Sequence, residues 1–158
     1  MSNKQPTAGT TAPGFDSIAI GGPYPEETRV EFSNFKGRTL VLYFYPKDDT
    51  PGCTKQACGL RDGWQDLSKK ATVFGVSVDT IAKHRKFIDK YDLPFPLLSD
   101  PDHKIAEAFG VWVEKKLYGK TYMGTERTTF VIGPDGIIKA VLPKVKPDEH
   151  LGLLLGIL

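Results

Sequence analysis

Two cysteines, Cys53 and Cys58, stand five residues apart, and the chain contains no others. A cysteine attacks as its thiolate, so a useful nucleophile needs surroundings that stabilise the anion. The C-x4-C spacing alone does not specify a zinc or iron–sulfur site, because no further cysteine is present to complete one. Our working hypothesis is that Cys53 is a reactive thiolate and Cys58 is its disulfide partner.

Three features of the sequence favour a thiolate at Cys53. The residue lies in the first turn of a predicted helix, where free backbone N–H groups and the helix dipole stabilise an anion. Thr50 before Pro51 fits an N-cap followed by proline at the first helical position, and its hydroxyl could instead bond the sulfur or a substrate oxygen. A cation from another strand is the third feature, and Arg127, at the start of a predicted strand, is a candidate.

The spacing of the two cysteines is also a geometric constraint. In an intact helix, Cα atoms five residues apart are separated by roughly 8–9 Å. A disulfide needs less than about 7 Å and side chains that face each other. The helix must therefore unwind locally if Cys53 and Cys58 bond. Gly59 and Gly63 make unwinding easier, since each glycine costs a helix roughly 1 kcal/mol relative to alanine.

Simpler interpretations stand beside these. A cysteine on an apolar helix face is often a small buried hydrophobe. Arg127, taken alone, is typical of a surface or salt-bridge arginine. The other polar side chains near the motif, and the histidines, are predicted to be ordinary solvated residues: Lys47, Asp48, Asp49, His84, His103 and His150.

Length and composition predict one soluble globular domain. The chain has 158 residues, of which 40% are hydrophobic and 25% charged, and a net charge of +2 gives no reason to expect nucleic-acid binding. No apolar run approaches the roughly 20 residues of a membrane span. The polar N-terminus lacks the apolar core of a secretory signal, so we expect a cytoplasmic protein. We predict a flexible tail over residues 1–12 and a single domain over 13–158.

Hydrophobic patterns predict alternating strands and helices around the cysteine motif. Strands are predicted over 15–20, 29–32, 39–45, 72–78, 95–98, 127–132 and 137–142. Helices are predicted after Thr50, over 80–91 with Asp79 as cap, from Pro101 to Gly110 with Asp100 as cap, and over 147–158. The first helix has one apolar stripe that faces the core: Cys53, Ala57, Leu60, Trp64 and Leu67. Such alternation indicates a layered α/β sheet with parallel crossovers.

The spacing Pro46-x-x-x-Thr50-x-x-Cys53 resembles the P-x-x-x-T-x-x-C signature of the peroxiredoxins. The run over 43–58 is similar to the subgroup called bacterioferritin comigratory protein or peroxiredoxin Q. A second cysteine, five residues after the first, marks this subgroup. Further matches are LPFPLLSD at 93–100, FGVW at 109–112 and RTTFVI at 127–132. The resemblance covers roughly residues 11–158, and it departs from the family in the first hairpin, at 21–27.

The resemblance implies an α/β thioredoxin-like fold, with a central mixed sheet flanked by helices and an N-terminal β-hairpin. It implies a thiol peroxidase in which Cys53 is the peroxidatic cysteine and Cys58 the resolving one. Thr50 would hydrogen-bond the peroxide and the sulfur, Pro46 would shield the pocket, and Arg127 would polarise the peroxide and stabilise the thiolate. No heme, flavin or metal is implied.

The implied partners are a peroxide and an external dithiol, thioredoxin or alternatively a glutaredoxin, with no nucleic acid and no membrane. We expect a monomer, because no extra interface segment is evident. Two other classes remain open: a non-catalytic redox sensor with a reversible Cys53–Cys58 disulfide, and a structural domain with an inert one. Neither of these classes needs Pro46, Thr50 and Arg127 together.

Overall fold

The computed structural model describes residues 5–158, and nine strands occur within them. The strands are β1 (Asp16–Gly21), β2 (Tyr24–Glu31), β3 (Leu40–Phe44), β4 (Thr72–Ser77), β5 (Leu97–Ser99), β6 (Trp112–Leu117), β7 (Lys120–Thr125), β8 (Thr129–Ile132) and β9 (Ile138–Leu142). The helices are α1 (Pro51–Asp62), α2 (Trp64–Leu67), α3 (Ile81–Tyr91), α4 (Lys104–Ala108) and α5 (His150–Ile157), with a 3-10 turn at Phe32–Phe35.

Seven of the strands form one mixed sheet in the order β2-β1-β5-β4-β3-β8-β9. β3, β4 and β5 are parallel, whereas β1, β2, β8 and β9 join antiparallel. The predicted central mixed sheet and the N-terminal hairpin are therefore confirmed. The hairpin turns through Gly21 and Gly22, whose positive φ values of 98° and 55° favour glycine.

β3 lies in the interior of the sheet, and all five of its residues are buried. Because side chains alternate along a strand, its odd and even positions enter different cores. Leu40, Leu42 and Phe44 pack in one core, while Val41 and Tyr43 pack in the other. The second core also holds Cys53, and it is covered by residues of α1, α3 and α5. The strand is therefore covered on both faces.

One predicted helix begins later than expected, and one hairpin was not predicted. The helix expected from Pro101 begins at Lys104, because His103 takes a left-handed backbone with φ 50°. Asp100 still stabilises the start of that helix, since its carboxylate accepts hydrogen bonds from the backbone N–H groups of Ile105 and Ala106 at 3.0 and 2.9 Å. The hairpin formed by β6 and β7 was not predicted at all, and it makes a separate two-stranded sheet.

The predicted tail, 1–12, falls partly outside the described residues, which begin at 5. Gly9 N donates to the carbonyl of Ile138 at 2.8 Å, so this end of the segment is bound to β9. The boundary between tail and domain stays a prediction. Among residues 5–158, every helix is too short or too polar to cross a bilayer.

Candidate active site

The loop between β3 and α1 carries the signature residues. Pro51 is the first residue of α1, and Thr50 stands at its N-cap with extended backbone angles. The Thr50 hydroxyl donates to the Lys47 carbonyl at 2.9 Å, so this side chain does not cap the helix. The first-turn N–H groups, which have no intrahelical partner, are consequently available to an anion.

Cys53 lies in that first turn and is 2% exposed. Arg127 reaches it from the segment before β8, and its Nη2 donates to the Cys53 Sγ at 3.3 Å. Gly52 gives the guanidinium room, because a Cβ at this position would stand 3.2 Å from Arg127 Nη2. The structure thus combines a helix N-terminus and a cation at one sulfur, and both features stabilise a thiolate over a thiol.

A chain of hydrogen bonds holds Arg127 in this orientation. Arg127 Nη1 donates to Gln56 Oε1 at 2.6 Å. Because that amide oxygen is an acceptor, the Gln56 amide nitrogen is free to donate to His150 Nδ1, 3.0 Å away. His150 Nε2 then carries the ring proton and donates to Thr129 Oγ1 at 2.8 Å. The chain links α1 to α5 and β8, and Gln56 and His150 are fully buried. The prediction that His150 is a surface residue is wrong.

The network requires a neutral His150, because Nδ1 must accept a hydrogen bond. Burial, and secondarily the charge of Arg127, lower the pKa of His150 to about 3. An unfolded histidine titrates at about 6.5, so the unfolded chain binds more protons between these two values. The neutral His150 therefore contributes to the free energy of unfolding. The contribution is complete above about pH 6.5 and is lost as the pH falls toward 3.

We expect His150→Leu to reduce the slope of the free energy of unfolding against pH by about 1.4 kcal/mol per pH unit within that window. At neutral pH it should also slow the reaction with peroxide, because the Gln56 amide loses its acceptor and Arg127 loses its support. Urea unfolding from about pH 4 to about pH 7, and stopped-flow peroxide kinetics at neutral pH, measure the two effects.

His150→Asn is the matched control for the second effect. Its side-chain oxygen lies near the position of Nδ1 and can accept from Gln56. We expect this variant to share the reduced acid sensitivity while it keeps most of the peroxide rate. Equal kinetics for the Leu and Asn variants would contradict a positioning role for His150.

A buried contact between a carboxylate and a histidine anchors the loop between β3 and α1. Asp48 Oδ2 lies 2.6 Å from His84 Nδ1, and Asp48 Oδ1 accepts from the Tyr45 hydroxyl at 2.5 Å. His84 Nε2 lies 3.0 Å from the Leu98 carbonyl, which can only accept. His84 Nε2 therefore carries a ring proton and donates to that carbonyl. The predictions of a solvated Asp48 and a surface His84 are wrong, since both are buried.

Asp79 completes this cluster. Its Oδ2 accepts from the Asp48 backbone N–H at 2.8 Å and from the Ser77 hydroxyl at 2.6 Å. One ligand-type atom from each of Asp48, Asp79 and His84 lies within 4.8 Å of the others. These groups already hydrogen-bond to protein partners, so anchoring of the loop accounts for the grouping. Asp79 does not cap α3 as predicted, because Thr80 holds the N-cap position.

Asp49, on the exposed side of the same loop, binds the loop to α3 through hydrogen bonds. Its backbone is left-handed, with φ 57°. Its carboxylate accepts from Lys90 Nζ at 2.8 Å and from the Tyr91 hydroxyl at 2.7 Å. The bond from Lys90, followed by the bond from Tyr91, lowers the pKa of Asp49. Two consecutive carboxylates thus fix the backbone that leads to Thr50.

Cys58 lies farther along α1 and is half-buried, and both cysteines are free thiols. α1 is continuous across both positions. Regular helix geometry separates their Cα atoms by roughly 8–9 Å, beyond the span of a disulfide. Pro46 is half-buried in the anchored loop, before Thr50. The structure therefore brings Arg127 to Cys53 and leaves Cys58 apart from them.

The sequence contained a signal for only one of the buried residues that were missed. His84 lies three residues before Phe87 and four before Ile88, which places it on the apolar stripe of α3. Gln56 and His150 are 94 residues apart, and no local pattern indicates that they meet.

Comparison with known proteins places the chain in a family. The model of the AhpC/TSA family matches residues 8–141. Peroxiredoxin Bcp of Bacillus subtilis is 50% identical over 77% of this chain and 78% of its own length. Peroxiredoxin Bcp of Escherichia coli K12 is 43% identical over 94% of this chain and 93% of its own. The bacterioferritin comigratory protein of Xanthomonas campestris superposes with a TM-score of 0.82 at 35% identity, covering 90% of this chain and 88% of that one.

The chain belongs to the AhpC/TSA family, and its fold is the thioredoxin-like fold of peroxiredoxins. Within that family it falls in the group of Bcp and peroxiredoxin Q proteins, as the resemblance of its cysteine motif indicated. Its relatives support a thiol peroxidase role, which agrees with a buried cysteine beside an arginine at a helix N-terminus.

Proposed function

We propose that this protein reduces hydrogen peroxide and organic hydroperoxides through Cys53, with Cys58 as the resolving cysteine and a dithiol protein as the reductant. The observation that carries the proposal is the 3.3 Å contact between Arg127 Nη2 and the Cys53 sulfur in the first turn of α1. A structural relative from Xanthomonas campestris is described as having alkyl peroxide reduction activity, which supports the inclusion of organic hydroperoxides.

In the first step, the Cys53 thiolate attacks the nearer oxygen of the peroxide and the O–O bond breaks. Cys53 becomes a sulfenic acid, and the departing oxygen leaves as hydroxide or alkoxide, which takes a proton to give water or an alcohol. Arg127 and the first-turn N–H groups stabilise the charge that develops on the departing oxygen. Thr50 directs the peroxide, and Pro46 shields the pocket from water.

In the second step, the Cys58 thiolate attacks the sulfenic sulfur, a disulfide forms, and hydroxide leaves as water after protonation. α1 has to open for this step, because the helix keeps the two cysteines apart. Gly59 favours this opening, because glycine costs a helix roughly 1 kcal/mol relative to alanine. Its position is also loosely surrounded, since nothing lies within 4 Å of a Cβ built there. Gly63 instead packs tightly, because a Cβ there would stand 2.4 Å from Leu151 Cδ2.

In the third step, an external dithiol reduces the disulfide by thiol exchange. Thioredoxin is the proposed reductant, and a glutaredoxin is the alternative. This cycle suits a cytoplasmic monomer, because both cysteines belong to one chain and cytosolic dithiol proteins are kept reduced.

A non-catalytic redox sensor is the competing function. A sensor would react with peroxide but turn over poorly with reductants. A domain with an inert structural disulfide would resist mild reductants and would not reform its disulfide after peroxide. The buried Gln56–His150 chain that orients Arg127 favours the peroxidase, because a sensor does not need a fixed cation at the sulfur.

Consumption of peroxide by the wild-type protein, coupled to oxidation of reduced thioredoxin, tests the proposal. We expect many turnovers per protein molecule, and hydrogen peroxide and an alkyl hydroperoxide should both serve as substrates. A single equivalent of peroxide consumed, with no further turnover under excess thioredoxin or dithiothreitol, would instead establish a sensor.

A further inference from the structure

The β6–β7 hairpin carries most of the exposed large apolar side chains in the described part of the chain. These exposed side chains number six, and four belong to the hairpin: Leu117 (56% exposed), Tyr118 (95%), Tyr122 (48%) and Met123 (49%). The hairpin is not part of the seven-stranded sheet, so no core requires these residues. Grouped exposed apolar residues with polar neighbours mark sites where proteins meet other molecules.

The hairpin is also positively charged. Within Trp112–Leu117 and Lys120–Thr125 there are three lysines, Lys115, Lys116 and Lys120, against one acid, Glu114. Among the ion pairs of residues 5–158, none includes a lysine of the hairpin. Lys116 and Lys120 are also exposed, so their charges are available to a partner, and complementary charge would make that partner acidic.

Two cross-strand pairs define one side of the hairpin. Lys115 pairs with Tyr122 and Leu117 pairs with Lys120, and residues that pair across antiparallel strands lie on the same side. We call these four residues the hairpin face. Burial, and then the positive charge of Arg127, lower the pKa of Lys115, and the Cys53 sulfur acts on it in the opposite direction.

The chain connects this surface directly to the catalytic arginine. β7 ends at Thr125, two residues before Arg127. The base of the hairpin is closed by a hydrogen bond from Glu126 N to the Val111 carbonyl at 2.7 Å. This connection places the base of the hairpin beside the segment that carries Arg127, so one partner can meet the sulfur site and the hairpin face together.

We propose that the hairpin face, with Tyr118, is the docking surface for the acidic dithiol protein that reduces the Cys53–Cys58 disulfide. The inference rests on the proposed function. In the bound complex, a partner thiolate attacks one sulfur of the disulfide, and the other cysteine leaves as a thiolate. The partner's second thiolate then attacks the mixed disulfide and releases the first cysteine. Two electrons pass to this chain, the partner ends as a disulfide, and both released thiolates take protons from water.

A small dithiol needs no docking surface, and this difference makes the test selective. The variant Leu117→Ser/Tyr118→Ser/Lys120→Glu removes apolar area and reverses one charge without changing a residue that touches the sulfur site. We expect kcat/KM for an acidic thioredoxin to fall at least about tenfold. Turnover supported by dithiothreitol should be unchanged. High salt should weaken the thioredoxin reaction of the wild type and leave the dithiothreitol reaction unaffected.

Leu153→Ser/Lys36→Glu is the matched control, because Leu153 is 43% exposed on α5 and Lys36 is exposed far from the hairpin in sequence. We expect wild-type kinetics with both reductants. A hairpin variant with unchanged kcat/KM for thioredoxin would overturn the proposal. The proposal would also be overturned if light scattering shows that the wild type is a dimer and the hairpin variant a monomer, while the thioredoxin kinetics of the two are equal. Absence of turnover in the wild type with dithiothreitol would instead count against the proposed function.

Discussion

Replacement of Cys53 by serine is expected to abolish peroxide consumption. Serine is nearly isosteric with cysteine, but its hydroxyl does not ionise in the range where a thiol does, so the pocket keeps its shape and loses its nucleophile. The loss should be complete within detection, with thioredoxin and with dithiothreitol alike. Coupled peroxide consumption measures the activity, and thermal unfolding confirms that the variant is folded.

Cys58→Ser is the matched control, because it removes the second sulfur and leaves the pocket intact. We expect it to reduce about one equivalent of peroxide at the wild-type rate and then to accumulate sulfenic and higher oxides, which mass spectrometry detects. Retained turnover in Cys53→Ser would remove that residue from the nucleophilic role. Sustained thioredoxin-dependent turnover in Cys58→Ser would remove Cys58 from the resolving role.

Substitution of Arg127 is the second large effect. Arg127→Met removes the cation that lies 3.3 Å from the Cys53 sulfur. It also removes the donor that we propose for the departing oxygen. Loss of one such donor typically lowers a rate by about 10²–10³-fold. We expect that decrease in the second-order rate constant with hydrogen peroxide, measured by stopped-flow with Cys58→Ser as background so that only the first step is observed.

Two further variants make the Arg127 result interpretable. Arg127→Lys keeps the charge but cannot contact Cys53 and Gln56 through two nitrogens at once, so we expect an intermediate rate. Arg29→Met removes an exposed arginine that pairs with Asp16 far from the sulfur, and it should leave the rate unchanged. A rate for Arg127→Met within a factor of about two of wild type would show that the helix N-terminus alone activates Cys53.

The sheet and α1 were predictable because their signals are local. β3 is a continuous apolar run, and α1 combines Pro51 at its first position with an apolar stripe from Cys53 to Leu60. Burial of Cys53, Ala57, Leu60 and Leu67 confirms most of the predicted stripe. The single predicted helix is wrong, because α1 ends at Asp62 and the half-buried Trp64 begins the separate helix α2. Arg127 was a candidate cation from its place at a predicted strand start, and the resemblance to peroxiredoxins supported it. A separation of 74 positions from Cys53 gives no local pattern.

The β6–β7 hairpin could not be predicted for a physical reason. Apart from the buried Thr125 at the end of β7, its strand residues are exposed or half-buried on both sides, so apolar and polar residues do not alternate. Its turn is Tyr118-Gly119, in which both residues have positive φ, 51° and 75°. Asn-Gly or Asp-Gly is the usual signal for such a turn, and a tyrosine in the first position conceals it.

The buried histidines were missed because burial of a polar group depends on its partners. His84 is stable in the core only with Asp48 and the Leu98 carbonyl, and His150 only with Gln56 and Thr129. Those partners come from distant parts of the chain. A histidine on an apolar stripe is therefore informative only once the topology is known.

The central claim is that the helix which activates Cys53 also keeps Cys58 out of reach, so that each turnover requires α1 to open. Opening separates Gln56 from Arg127 and His150, and it removes Ala57 and Leu60 from the core. Gly59→Ala adds a methyl group to open space and should stabilise the closed helix by about 1 kcal/mol. We expect it to slow disulfide formation about fivefold and to leave the first step unchanged.

Hydrogen exchange of Pro51–Asp62, before and after one equivalent of peroxide, tests this claim most directly. We predict that amide protection across this segment falls when the Cys53–Cys58 disulfide forms and returns on reduction, while Cys58→Ser keeps its protection after the same treatment. Formation of the disulfide, verified by mass spectrometry, with unchanged protection of α1 would contradict the account.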